Sequence, residues 1–424
     1  MSQGSQHHAL TPGRERATLL VLGAVQFTHI LDYMIIMPLG AQLMRSFSIK
    51  PAQFTLIVAT YSFAAALSGL AGGFVLDRFD RKRALITLYA GFGLATLACG
   101  LAPTHHWLLA ARFAAGAFGG LASAMVIAMV GDIIPPERRG RAMSFVVAAF
   151  PVASVLGVPL GLVLAGKFGW HAAFYLLAGC AAANLALASL ALPHIRTAVH
   201  DHEPIRQMRE IISRRLHLRA FAVGAMLVMA GSSVIPFLAP SFIANVGLDE
   251  KVQLPIAYAI GGAATFISTP IVGWLSDHVD RFRLLAWMSG AAIVVVLFVT
   301  RLGPSSIALA GTMMALFMVT MSGRFTPAMA MITSAVEARY RGGFMSVNSS
   351  IQQAAAGFAN VLAGLMVVSD PSGRLVGFPQ LGYVAICFFL LTVLFAAQLR
   401  TAAPHVAKPS QRKPAVATAT EAVG

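Results

Sequence analysis

Apolar runs of about twenty residues, broken by short polar segments, repeat along nearly the whole 424-residue chain. Each run is long enough as a helix to cross a hydrocarbon core of about 30 Å. The short alternating strands of a membrane barrel do not occur. The pattern predicts twelve spans, at 17–44, 51–76, 84–104, 107–131, 142–166, 172–193, 220–245, 252–276, 284–300, 305–335, 343–368 and 379–399. The longest polar stretch, 194–219, falls between the sixth and seventh and carries Arg196, Asp201, Glu203, Arg206, Arg209, Glu210, Arg214, Arg215 and Arg219. The expected organisation is an N-tail (1–16), a six-helix bundle (17–193), a linker (194–219), a second six-helix bundle (220–399) and a C-tail (400–424).

The two halves share sequence. Gly73-Phe74-Val75-Leu76-Asp77-Arg78-Phe79-Asp80-Arg81-Lys82-Arg83 recurs 200 positions later as Gly273-Trp274-Leu275-Ser276-Asp277-His278-Val279-Asp280-Arg281-Phe282-Arg283, with the Gly, both Asp and two Arg in step. Arg139-Gly140-Arg141-Ala142-Met143-Ser144 is matched 202 positions on by Arg341-Gly342-Gly343-Phe344-Met345-Ser346. Two tandem copies of one membrane unit are the mark of a repeat-built transporter.

Composition narrows the class. The chain is 57% hydrophobic and 11% charged, against about 25% charged in soluble domains. A net charge of +15 suggests nucleic acid, but the charges sit in short loops between spans, where the positive-inside rule places them. With the N-terminus inside, 23 of the 31 Lys and Arg lie on the cytoplasmic side; Arg45, Lys50, Lys167, Lys251, Arg301 and Arg374 lie opposite. This bias puts both termini in the cytoplasm. The polar start, Met1–Arg16, lacks the short apolar segment of a signal peptide. Cys99, Cys180 and Cys387 fall inside apolar runs without metal or disulfide spacing. His200-Asp201-His202-Glu203 is metal-like in composition but belongs to the polar linker. No Gly-x-x-x-x-Gly-Lys-Ser/Thr loop occurs, so ATP-driven transport is not expected.

Four ionisable residues fall inside the spans: His29, Asp32, Arg112 and Arg324. A buried membrane charge costs about 2.5–3.5 kcal/mol on insertion scales, so such residues point to function. His29 and Asp32 are three apart on one helix face, with Gln26 and Tyr33 nearby. Asp32 is the candidate proton carrier. Counted from the outer side, Arg112 lies at roughly 8 Å depth and Asp32 at roughly 18 Å; depth alone leaves both a pairing and a purely structural ion pair open. His29 reads either as a relay or as a hydrogen-bonded cavity residue. Arg324 reads as an anion or substrate anchor, a partner for Asp32, or a support for the kink at Pro327. Asn348 and Gln352, with Ser349 and Gln353, suit a polar cavity wall or interhelical hydrogen bonds. Phe150, Phe237 and Tyr258 suit an apolar binding pocket or ordinary core.

These motifs resemble the major facilitator superfamily over nearly the whole chain. Gly73…Asp77-Arg78…Arg81-Lys82 is similar to the family's loop between helices 2 and 3, with Asp80 where the family usually has Gly. The resemblance implies a cytoplasmic gating latch at Gly73, Asp77 and Arg81, repeated at Asp277 and Arg281. Leu108…Arg112-Phe113-Ala114-Ala115-Gly116…Gly119 resembles the helix-4 motif and implies a role for Arg112 in proton coupling. Gly157-Val158-Pro159-Leu160-Gly161 is a variant of the helix-5 antiporter motif, normally Gly-Pro-x-x-Gly-Gly. Gly169-Trp170-His171-Ala172-Ala173-Phe174 resembles the helix 5–6 loop of bacterial efflux members, and Asp32-Tyr33-Met34-Ile35-Ile36-Met37-Pro38 the acidic helix-1 motif of drug:proton antiporters.

The resulting expectation is an all-α protein with twelve transmembrane helices in two pseudo-symmetric bundles. It would sit in the inner membrane and export a small organic compound in exchange for protons, by alternating access. Its partners would be the solute, protons and lipid; no cofactor, metal or nucleic acid is expected, and one chain suffices. The rival readings are a proton symporter or uniporter for a sugar or metabolite, and a lipid scramblase or receptor that pumps nothing.

Overall fold

The computed structural model describes residues 12–75, 79–193 and 204–408. Twelve long helices dominate it: α1 Pro12–Ile35, α2 Pro51–Val75, α3 Arg81–Gly100, α4 His105–Ile133, α5 Arg138–Phe168, α6 His171–Ala191, α7 Arg215–Ala244, α8 Gln253–His278, α9 Arg281–Val299, α10 Ile307–Ser334, α11 Arg341–Met366 and α12 Phe378–Ala402. Eleven are long and apolar enough to cross a bilayer. The remaining one, α11, is 26 residues long, but Asn348, Ser349, Ser350, Gln352 and Gln353 dilute its hydropathy. Helix α7 begins at Arg215, four residues before the expected end of the linker. A further helix, Pro204–Ser213, lies within that linker.

Helix starts follow the internal repeat. The Asp80 carboxylate accepts a hydrogen bond from the Arg83 backbone N–H at 2.9 Å, and Asp280 accepts one from Arg283, also at 2.9 Å. Thr104 caps α4 through the Trp107 N–H, and Ser306 caps α10 through the Leu309 N–H. Caps of this kind contribute about 1 kcal/mol each. The second Asp of each repeated motif is therefore a helix cap, which explains its recurrence without reference to gating.

Three buried apolar clusters set the shape. One, on the side where the described residues begin and end, the terminus side, joins the first turns of α1 and α3 to the last turns of α4, through Val21, Leu85 and Val130. A second occupies the equivalent place in the other half, through Phe221, Met331 and Phe344. The third is shared: on the distal side Leu31, Phe54 and Trp170 of the first half are continuous with Phe237, Tyr258 and Phe317 of the second. The halves thus have one common core distally and two separate cores on the terminus side, so the closed face is the distal one.

Helix pairs across this boundary approach closely. Along α2 and α11, Phe63 packs edge-on to Phe358 at 5.1 Å and Ser346 Oγ donates to the Gly69 carbonyl at 3.5 Å. A Cβ on Gly262 of α8 would lie 2.6 Å from the Ser154 carbonyl of α5, so glycine permits this contact. A helix at Gly40–Phe47 carries Arg45, which forms an ion pair with Glu250 before α8. Arg45 is 59% exposed, so the pair falls in the range of about 0.2–1 kcal/mol. Glu250→Gln should therefore open the distal side up to about fivefold more often. Thiol labelling of a cysteine placed at Phe54 checks this; an unchanged labelling rate would remove the pair from the closure.

On the terminus side, the Arg214 guanidinium donates to Glu337 and Tyr340 Oη donates to Glu210 at 2.6 Å. Arg214, with Arg339 beside it, holds the Glu337 carboxyl below the usual carboxylate range. These contacts tie the linker to the α10–α11 connection.

Candidate coupling site

Glycines on α4 build the site. Gly116 rests against the Tyr61 backbone of α2, and Gly120 against Ala65. With α4 laid on α2 in this way, Arg112, one turn before Gly116, is placed over the Tyr61 ring, its Cζ 4.2 Å from the ring centroid. Arg112 Nη1 donates to Asp32 Oδ2 at 2.7 Å, and both side chains are 0% exposed. Thr96 of α3 donates to Asp32 Oδ1 at 3.3 Å. Tyr61 Oη and His29 Nδ1 are 2.9 Å apart. Gly119 completes the enclosure: a Cβ there would lie 2.9 Å from both of these atoms.

The depth estimate left pairing open; the structure forms the pair. Breaking such a pair by removing one partner typically costs about 3–5 kcal/mol, because the other charge is stranded. Arg112 Nε and Nη2 have no oxygen or nitrogen partner among the described residues. A proton on Asp32 would weaken its hold on Arg112.

The other sequence candidates are distributed unevenly. Gln26 accepts from Ser123 Oγ at 3.0 Å, and the Tyr33 ring lies 5.5 Å from that of Tyr61; both adjoin the pair. Phe150 is 44% exposed. Phe237 and Tyr258, which suit a pocket or ordinary core, lie in the buried distal cluster in this conformation, where Phe237 packs against Phe54 at 6.3 Å. Asn348 and Gln352, read as a cavity wall, turn toward α7, with Asn348 Oδ1 and Gln352 Nε2 within 3 Å of where a Gly224 Cβ would be. The face of α11 opposite lipid-exposed Phe358 and Leu365 carries Ser349, Gln353 and Asn360 instead. These run from exposed through half-buried to fully buried toward the distal side, as a space open at the terminus side requires. The four-residue spacing identified a polar helix but left two faces to choose between.

Of the latch residues, Asp77 lies outside the described residues, and Gly73 is described only as part of α2. Arg81 Nε donates to Asp132 Oδ2 at 3.1 Å, at the end of α4. Arg281 Nη1 donates to Ser334 Oγ at 3.1 Å, at the end of α10. Each of these two contacts lies within one half. Asp277 is exposed. Arg324 lies in the second bundle, without contact to Asp32. Tyr61, Thr96 and Asp132 carry no motif that marked them in the sequence.

In α5, Gly157 and Gly161 face α1: a Cβ on each would lie 2.7 Å from Leu31 and 2.6 Å from Ile35. Pro159 lacks an N–H, and just before it the helix widens into a π-turn, Ala153–Gly157, closed by Val158 N–H to the Ala153 carbonyl.

Comparison with known proteins agrees with this architecture. Residues 22–359 match the Major Facilitator Superfamily profile. The chain is 24% identical over 377 residues to the uncharacterized MFS-type transporter YceJ of Bacillus subtilis, covering 88% of this chain and 94% of that one. It is 23% identical over 287 residues to a probable sugar efflux transporter of Pasteurella multocida, covering 68% and 70%. In fold it matches a bacterial homologue of the human lysosomal transporter Spinster in an inward-facing and occupied conformation, with TM-score 0.78, 17% identity and 95% and 100% coverage. The twelve-helix, two-bundle chain belongs to the Major Facilitator Superfamily of membrane transporters.

Proposed function

We propose that this protein exports a small organic compound across the inner membrane in exchange for protons. The observation that carries the reading is the fully buried Asp32–Arg112 pair, which joins a deeply buried carboxylate to a guanidinium through a contact that protonation weakens. The glycine-lined, π-bent α5 and the efflux relative support the exporting direction. The Lys and Arg bias supports cytoplasmic termini; the distal seal is then the outer face, and the described conformation opens inward. Solute would enter between Gln26 and Tyr33 on α1 and the Ser349–Gln353 face of α11. Rocking of the halves would exchange access. Protons and lipid are the other partners, no cofactor takes part, and one chain carries the cycle.

The test is a solute panel in proteoliposomes of known orientation with an imposed pH difference. Export coupled to protons moves at least one solute uphill against inward proton flow, and an ionophore that collapses the gradient abolishes it. Solute moving with the proton, or only down its own gradient, would make the protein a symporter or uniporter. Lipid flipping without solute flux would make it a scramblase.

A further inference from the structure

The two halves differ in charge balance. In the first, Asp32 neutralises Arg112. In the second, the residue 200 positions after Asp32 is Ser232, and the sequence places no carboxylate in spans seven to twelve. Yet α10 carries Arg324, which is 1% exposed. A guanidinium stays protonated in proteins, so the second bundle holds a buried cation that forms no ion pair among the described residues.

Its contacts are weak ones. The Arg324 Cζ stands 4.2 Å from the centroid of the Phe389 ring of α12. Nη2 lies 3.4 Å from the sulfur of Met321, and a thioether is a poor acceptor. Nε and Nη1 are buried with no hydrogen-bond partner among the described residues. Pro327 leaves the Gly323 carbonyl without its helical donor, yet these two nitrogens remain unpartnered, which argues against a role bracing the kink.

Met321 also faces α7, its sulfur 3.8 Å from the position of a Cβ on Gly231. It shares a helix face with Phe325, four residues on and 45% exposed. An unbranched, adaptable side chain therefore stands between the guanidinium and α7. If the sulfur swings away, Nη2 is freed and joins Nε in a side-on fork that matches a carboxylate.

We propose that Arg324 binds the acidic group of the transported compound, a small monovalent organic acid, with Met321 as the placeholder that the acid displaces. The substrate role rests on the export reading; the binding itself does not. An anion leaving while a proton enters moves charge in the direction an inside-negative potential favours, so the assignment is consistent with export.

The test is thermal unfolding of the full-length protein in nanodiscs, without any gradient. The probes are benzoate, phenylacetate and hexanoate at millimolar concentration, each against its neutral amide. At least one carboxylate should raise the wild-type Tm by about 2 °C or more, its amide should not, and Arg324→Met should abolish the shift. Arg324→Met should also raise the Tm of the ligand-free protein, because it replaces an uncompensated buried charge with an apolar side chain. Met321→Ala should keep the shift and lower the half-saturating concentration severalfold. The proposal is overturned if no carboxylate stabilises the wild type, if the amides do so equally, if the shift survives Arg324→Met, or if that variant lowers the ligand-free Tm as a structural arginine requires. Asp32→Asn should leave the carboxylate shift in place. Failure of proton coupling and failure of anion binding are thus read separately.

Discussion

Asp32→Asn should abolish accumulation of the transported compound against its gradient while leaving equilibrium binding in place. One pH unit across the membrane is worth about 1.4 kcal/mol per proton. A one-proton exchanger driven by that difference therefore sustains about a tenfold concentration ratio, and the variant should sustain none. The reason lies in the pair: Asp32 is sealed at 0% exposure with Arg112 Nη1 2.7 Å away. Asparagine resembles the protonated acid in shape and charge, so the site is held in one of its two states and the cycle has nothing to exchange. Asp32→Glu should retain partial uphill transport with a displaced pH profile. Because asparagine strands the Arg112 charge, at about 3–5 kcal/mol, the double variant Asp32→Asn/Arg112→Met serves as the folding control. It should express better than the single variant and equilibrate solute without concentrating it. Uphill transport by Asp32→Asn under an imposed pH difference would move the coupling role to His29 or to a loop carboxylate.

What the sequence made legible follows from what the bilayer constrains. Spans and repeat were visible because hydrocarbon demands long apolar runs, and duplication left Asp80 and Asp280 in register as caps. Asp32 and Arg112 stood out because charge is rare in the spans, although pairing needed the close approach of α4 to α2 at Gly116, which no linear pattern displays. Tyr61 and Thr96 were silent because a lone Tyr or Thr in an apolar run resembles core. On α11 the two polar stripes, Asn348–Gln352 and Ser349–Gln353, are only one residue apart, so spacing did not reveal which faced α7. Phe237 and Tyr258 carry the same apolar signal whether they line a pocket or close a seal; only the alternative conformation separates those uses.

Gly157→Leu should uncouple the protein: solute still crosses, but protons leak and the concentration ratio collapses toward unity. Helix α5 is gripped on two sides. Toward α1, a side chain at 157 would begin 2.7 Å from Leu31 Cδ2, and one at 161 would begin 2.6 Å from Ile35 Cδ1. Toward α8, Gly262 lies against the Ser154 carbonyl of the π-turn. Leucine at 157 must displace Leu31, the residue next to Asp32, at an overpacking cost of about 1–3 kcal/mol. That energy is enough to shift the balance between two arrangements of the coupling pair by about tenfold, and it opens a seam along α1. Gly262→Val should behave differently. Its obstacle is backbone rather than a movable leucine, so the halves cannot close distally and solute flux itself should fall. A pH-sensitive dye in the lumen, read together with solute flux, separates the two outcomes. Leakage confined to Gly157→Leu would assign the α1–α5 seam to proton sealing and the α5–α8 contact to closure. An unchanged coupling ratio in Gly157→Leu would show that the glycine packs helices without guarding the proton path.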